Sequence, residues 1–414
     1  MSLHGWMSAK KLLIGAIAAA KAALTINRKR FNIMPASRSL LVTLKPTLSC
    51  NLACTYCYGR ENHSVGRSMT DDEIKRAIQF VCEYAKLQSF SHVEICWHGG
   101  EPFLLGEQRL GSLIDYASSL FNSFNLRYRY SIQTNGVLLA ENFYPILEKY
   151  FNKSVGISLD LFSNQRVFRN GKTSSDIVIP NIDHALSAGI KIGIINLLTK
   201  QNVRRIDDIY NFYKERRLDV RLARVFPISK DFNDSDVMYL SDEEYSSAMI
   251  RYFDLWADDE NPAPNNDIVK LVGDLLLGRP SICLREQKCY ERYMAIAPGG
   301  DIYSCAEFDV PESVIGNLYT QTPVEFANSA ARERIATKAP IPDGCHSCKY
   351  YRTCYGGCFR ERFMLGFPYR CKANKVYWDH ILKWLEGKGA SLYMLQGKTK
   401  EEVLNTLSNV FIHR

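Results

Sequence analysis

Three cysteines, Cys50, Cys54 and Cys57, stand at the spacing C-x3-C-x2-C directly after an apolar, strand-like run, Leu40-Leu41-Val42-Thr43-Leu44. Thiols this close in sequence can wrap one iron–sulfur cluster. A cubic cluster has four irons, and cysteine usually ligates each of them. The local run supplies three. The nearest other cysteine, Cys82, falls in a helical pattern with no partner motif. One iron would therefore stay open to a small molecule. A zinc knuckle or a redox-active thiol pair would draw on the same residues, so the rest of the chain has to discriminate.

The chain has 414 residues, enough for two domains or for one large barrel with an appended unit. Lys and Arg number 52 against 44 Asp and Glu, a net charge of +8. The charge is scattered, with short clusters such as Arg28-Lys29-Arg30 and Arg204-Arg205, so dedicated nucleic-acid binding is not expected. Of thirteen cysteines, all but Cys82 and Cys96 fall in motif-like clusters. That pattern in a chain of this length reads as metal ligation in a reducing compartment, hence a cytoplasmic protein. Near the amino terminus, Lys10-Lys11 precedes an Ala-rich apolar run that Lys21 interrupts. The run is too short to span a bilayer, so residues 1–38 are expected to form a short helix and connector, with no stable membrane insertion.

From residue 39 onward a repeat sets in. Residues 39–48 read as a strand. Thr70 caps a helix running to about Leu87, with Glu73 completing a capping box. Strands follow at Val93–Trp97, Tyr128–Gln133, Ser154–Leu159, Ile190–Leu198 and Val220–Phe226, with helices at Arg109–Phe121, Ala140–Tyr150, Asp176–Ala188 and Val203–Arg216 between them. This alternation argues for βα units and a parallel sheet. The chemistry-bearing runs come just after strands. They are Trp97-His98-Gly99-Gly100-Glu101-Pro102, Gln133-Thr134-Asn135-Gly136 and Ser158-Leu159-Asp160. The glycine pair lets the backbone approach a ligand closely. Residues 227–280 read as a connection holding a helix near Asp242–Trp256 and a loop from Asp258 to Asn266.

The triplet with Tyr56 before its last cysteine resembles the signature of the radical SAM superfamily. That resemblance implies an α/β fold, a partial (β/α)6 TIM-like barrel with its site at the carboxyl ends of the strands. It implies a [4Fe-4S] cluster on Cys50, Cys54 and Cys57 whose open iron chelates S-adenosylmethionine. One electron would split that cofactor and give a 5′-deoxyadenosyl radical. Gly99, Gly100, Glu101 and Pro102 would hold the methionyl amine. Gln133, Asn135 and Ser158 would also face the cofactor, with Asp160 on the substrate side. Family members usually continue with Gly-Pro after that Asp and reach a carboxylate-clamping Arg about ten residues on. Here Leu161-Phe162 stands instead. Arg166 and Arg169 are both candidates, with Arg169 nearer the expected spacing.

The carboxy-terminal cysteines run Cys283-x5-Cys289, Cys305 after Gly300, then Cys345-x2-Cys348-x5-Cys354-x3-Cys358 and Cys371. This resembles the SPASM domain, which implies two auxiliary [4Fe-4S] clusters and three clusters in all. One would be held by Cys283, Cys289, Cys305 and Cys358, the other by Cys345, Cys348, Cys354 and Cys371. Four thiolates also suit structural zinc. The division expected is 1–38 leader, 39–230 barrel, 231–280 connector, 281–375 SPASM domain and 376–414 a helical segment.

Enzymes of this type mostly modify peptides and proteins. The reading favoured by the sequence is a radical SAM oxidoreductase that matures a ribosomally made peptide by oxidation or crosslinking, with a flavodoxin- or ferredoxin-type electron donor. The alternative is sulfatase maturation, in which Ser or Cys becomes formylglycine. Those enzymes typically carry an Asp base directly after the third auxiliary-region cysteine, where this chain has Ala306. Glu307 and Asp309 are the candidate bases instead. A multi-cluster electron carrier is the non-enzymatic alternative. It would not need the Gly-Gly-Glu-Pro and Ser-Leu-Asp groups. The substrate would dock on the barrel edge and the leader helix, or be presented by a separate protein.

Overall fold

The computed structural model describes residues 39–58, 66–227, 238–286, 288–307, 310–399 and positions 402, 403 and 406. The expected leader helix, residues 1–38, lies outside the described residues, as does Asp309.

Six parallel strands form as the alternation predicts: β1 (Ser39–Leu44), β2 (His92–Trp97), β3 (Arg127–Thr134), β4 (Ser154–Ser158), β5 (Lys191–Leu198) and β6 (Asp219–Arg224). They run in sequential order across the sheet, with no closing pair between β6 and β1. The result is a partial barrel. Alternate residues of β1, β2 and β5 are buried, so one face of each strand packs under the helices while the other lines the barrel interior. β1 is shorter than the sequence suggests. It ends at Leu44: Lys45 N–H still donates to Ile296 O across from β7, but Pro46, next in line, has no N–H to pair.

The helices lie where the repeat places them. Thr70 and Glu73 close the capping box of α1 (Asp71–Leu87), whose Ile74, Ile78, Val81 and Cys82 enter the core. α2 (Glu107–Ser123), α3 (Tyr144–Phe151), α4 (Ser175–Ser187) and α5 (Ile206–Glu215) follow, the last opened by a 3-10 turn at Val203–Arg205. The connection beyond β6 is more ordered than its polar sequence suggests. It holds α6 (Asp242–Asp258) and also α7 (Asn266–Leu277), a helix the sequence reading leaves as connector.

The sheet continues past β1. β7 (Tyr293–Ile296) adds parallel to β1, with Leu44 opposite Ile296, and β8 (Asp301–Tyr303) and β9 (Val314–Asn317) follow antiparallel. The carboxy-terminal cysteine region is thus hydrogen-bonded directly onto the strand that carries the first triplet. Beyond it, α6 packs against a long terminal helix (Cys371–Glu386). Among the described residues no helix is long and apolar enough to cross a membrane.

Candidate active site at the carboxyl ends of the strands

The Cys50–Cys57 loop leaves β1 and is held from three sides. Its backbone pairs with the loop after β4: Ala53 N–H donates to Val167 O at 2.7 Å and Thr55 N–H to Gln165 O at 3.0 Å. From β3, the Asn135 amide donates to Asn51 Oδ1 at 2.6 Å and to Cys50 Sγ at 3.6 Å. Behind the loop, the Tyr56 hydroxyl donates to Asp160 and accepts from Arg166 Nη1 at 2.9 Å. Asp160 also accepts the Leu197 N–H at 2.8 Å. Asp160 therefore braces the cysteine loop, where the resemblance had placed it toward the substrate.

Burial raises the thiols of Cys50 and Cys54. The Leu52 N–H and the Asn135 amide oppose this at Cys50, and the Arg166 charge opposes it at Cys54. Burial also works against the Arg166 charge, but Tyr56, Cys54 and Asp160 around it hold the guanidinium protonated. Its Nε is buried without a hydrogen-bond partner. An orphaned donor beside a thiol triplet fits an anionic ligand bound against that triplet. Arg169, the candidate nearer in spacing, is exposed at the tip of the turn between Val167 and Thr173. The structure brings Arg166, and not Arg169, to the site.

The Gly-Gly-Glu-Pro run lies on the backbone that leads into Cys50. Gly100 N–H donates to Thr47 O and Glu101 N–H to Ser49 O, both at 2.9 Å. A Cβ at Gly100 would stand 2.2 Å from Ser49 O, and Gly99 adopts φ +113°. Both positions therefore need glycine. The Glu101 carboxylate is fully buried and accepts from Phe103 N–H, Thr134 Oγ1 and Asn135 N–H at 3.0, 2.7 and 2.8 Å. Burial raises its pKa and these three donors pull it back. The Glu101 carbonyl accepts Leu104 N–H at 3.2 Å, so its side chain and backbone both brace the run, and Pro102 starts the 3-10 turn that follows. On β3 and β4, Gln133 Nε2 donates to Ser158 Oγ at 3.0 Å.

The auxiliary-region cysteines gather into two groups. Cys283, Cys289, Cys305 and Cys358 act on one another electrostatically, as do Cys345, Cys348, Cys354 and Cys371. Burial pushes Cys305 and Cys354 up to about 12 and Cys283 to about 11. Deprotonating so buried a thiol needs a cation or metal beside it. Each group supplies four thiols, the number of cysteine ligands a four-iron cluster takes. Among the described residues no three His, Cys, Asp or Glu side chains converge on a single-ion site. Cys82 is fully buried in the core, as expected for a thiol without a role, and Cys96 sits on the inward face of β2.

Glu307 is two residues past Cys305. Its Oε2 lies 2.6 Å from Arg360 Nη1, and the same nitrogen donates to its backbone carbonyl at 3.1 Å. The side chain is 54% exposed. Even so, Arg360, and then Arg370, Arg221 and His98, surround it and hold the carboxyl below its ordinary range. Those residues come from both the barrel and the carboxy-terminal region. Arg360 and Lys45 were not legible in the sequence. Both reach this loop across long sequence separations, and neither belongs to a motif.

Comparison with known proteins agrees with this geometry. The family description "Radical SAM superfamily" matches residues 44–213. A serine-type anaerobic sulfatase-maturating enzyme of Bacteroides thetaiotaomicron is 25% identical, over 85% of this chain and 92% of its own. A cysteine-type anaerobic sulfatase-maturating enzyme of Clostridium novyi is 28% identical, over 78% of this chain and 89% of its own. Among solved structures, anSMEcpe with bound AdoMet and Cp18Cys peptide superposes with a TM-score of 0.73 at 22% identity, covering 90% of this chain and 99% of that one. Residues 44–213 thus carry a radical SAM domain, and the chain as a whole is similar to the anaerobic sulfatase-maturating enzymes.

Proposed function

We propose that this enzyme oxidises a Ser or Cys side chain of a protein or peptide to the aldehyde of formylglycine, as the names of its sulfatase-maturating homologues imply. The observation that carries the reading is similarity to those enzymes over most of the chain, both in sequence and in fold. It reverses the ranking drawn from the sequence, which put peptide crosslinking first.

On this reading Cys50, Cys54 and Cys57 hold the first cluster. The backbone of Gly99–Glu101, with Gln133, Asn135, Ser158 and Arg166, holds S-adenosylmethionine. Bound there, cluster and cofactor would supply the radical chemistry by which one hydrogen atom is lost from the substrate Cβ. The residues do the rest. The orphaned Arg166 Nε pairs with the cofactor carboxylate. Asn135 fixes the loop at Cys50. Glu307, ionised beside Arg360, takes the proton from the substrate hydroxyl or thiol. The two groups of four thiols in residues 283–371 would hold two further clusters on this reading, and those would supply an acceptor for the one electron the substrate gives up. Loss of a hydrogen atom, a proton and an electron is a two-electron oxidation: from Ser it gives the aldehyde directly, and from Cys a thioaldehyde that water converts to the aldehyde with release of hydrogen sulfide.

One observation favours the crosslinking reading. Sulfatase maturases typically carry an Asp where this chain has Ala306, and Glu307 stands one residue further on. The test is anaerobic turnover of short peptides carrying either Ser or Cys at the target position. The expected result with the Ser peptide is a mass loss of two hydrogens and an aldehyde that hydrazide reagents trap. Formation of 5′-deoxyadenosine with no aldehyde from either peptide would overturn the assignment.

A further inference from the structure

Lys45 is the first residue beyond β1, and it is 1% exposed. Its N–H extends the β1–β7 pairing by donating to Ile296 O at 2.9 Å. Its ammonium crosses to the other cysteine region and donates to Ala306 O at 2.5 Å, 261 residues away in sequence. It also lies 5.1 Å from the ring of Tyr58, the residue after Cys57. One buried cation thus touches the chain immediately after Cys57 and immediately after Cys305.

The Ala306 carbonyl and the Glu307 N–H belong to the same peptide unit. That N–H donates to Cys305 Sγ. The ammonium therefore pulls on the oxygen of a peptide whose hydrogen points at a cysteine sulfur. A charge at one end of such a chain strengthens the bond at the other end. The next carbonyl, that of Glu307, accepts from Arg360, itself 5% exposed. Two buried cations hold consecutive carbonyls, and the peptide plane is fixed between them.

We propose that Lys45, a barrel residue, sets the reduction potential of the cluster held by Cys305, acting through the Ala306–Glu307 peptide. Hydrogen bonds to cluster sulfurs and nearby positive charge stabilise the reduced, more negative form. Lys45 is thus a positioning residue that couples the strand of the first triplet to the electron-accepting region. This rests on the reading that Cys305 is a cluster ligand.

The test is a mediator-poised redox titration of the full chain, reconstituted anaerobically and followed by electron paramagnetic resonance. Cys305→Ala first identifies the signal that belongs to this thiol. A variant keeping every signal and its full iron would overturn the ligand reading itself. In Lys45→Met that one midpoint should move to lower potential while the others stay, and Lys45→Arg should restore most of it. Lys45→Gln, which keeps a donor and loses the charge, covers the case in which the Met variant loses iron, and should move the midpoint the same way. An unshifted Cys305-dependent midpoint at full iron, or an equal shift of every signal, would overturn the inference and leave the ligand reading standing.

Discussion

Arg166 Nη1 donates to the Tyr56 hydroxyl at 2.9 Å, joining the loop after β4 to the cysteine triplet after β1. Tyr56 in turn donates to Asp160. Buried Asp160 and half-buried Tyr56 and Arg166 form one polar group behind Cys54. Removing one member of such a group leaves the others desolvated and uncompensated, at a cost of about 3–5 kcal/mol. Arg166→Met is therefore expected to lower the thermal midpoint sharply and to weaken retention of iron and of S-adenosylmethionine. Arg169→Met, at the exposed tip of the 167–173 turn, should stay within about 0.5 kcal/mol of the parent. Equal effects from the two would reject Arg166 as the residue that serves the cofactor.

The pair also marks what residue counting could reach. Spacing alone favours Arg169. The backbone decides otherwise, because Val167 and Thr173 bridge and Phe168 N–H bonds Lys172 O, which puts 169 and 170 at the tip. By contrast the barrel was legible. Its strands alternate, its helices carry caps, and its motifs lie next to strand ends, all local properties. The triplet was legible for the same reason. The partners of Ala306 and Glu307 were not, since Lys45 and Arg360 are brought there only by pairing β7 on β1 and by the fold around Cys358. The helix Asn266–Leu277 was missed because a proline-containing loop and polar residues precede it, although Asn265 caps it and Gly278 ends it.

Glycine at position 100 is a steric requirement. An added Cβ would stand 2.2 Å from Ser49 O and 2.6 Å from Leu48 O, both backbone atoms that cannot turn aside. Gly100→Ala should push the run off the cysteine loop and cost about 1–3 kcal/mol or more. Gly193→Ala meets nothing within 4 Å on β5 and serves as the control. Thermal melts with iron analysis should show a lowered midpoint and lost iron in the first variant alone.

Glu307 gives a pH prediction. Arg360, the largest influence, holds its carboxyl below the ordinary range. With the folded value below the unfolded one, what the pair contributes is present above about pH 4.3 and is lost as pH falls through the lower folded value. Its stability share is modest, because solvent reaches more than half of the side chain. For catalysis, this group stays ionised through neutral pH, so it should put no limb on product formation between about pH 5 and 8. Glu307→Gln should reduce peptide oxidation about 10²–10⁴-fold, the usual reach of a general base, while S-adenosylmethionine cleavage continues. Undiminished product in that variant would remove Glu307 from the mechanism.

Cys358 is the residue whose loss separates the two cysteine groups most cleanly. In sequence it stands four residues after Cys354, yet its electrostatic neighbours include Cys283, Cys289 and Cys305. It is buried, and Gly356 and Gly357 just before it adopt φ +81° and +77°, a turn that carries the chain from one group to the other. Arg362, one turn further on, donates to the carbonyls of both glycines at 3.0 and 2.6 Å and fixes that turn. If three four-iron clusters are bound, Cys358→Ala should take the reconstituted protein from about twelve irons per chain to about eight. The group completed by Cys371 should keep its own. Cys82→Ala removes a thiol equally buried but surrounded by core side chains, and should lose no iron. Iron determination beside visible absorption distinguishes these outcomes. Full iron in the Cys358 variant would move this thiol out of the ligand set and, with it, the assignment of Cys283, Cys289 and Cys305 to a cluster of their own.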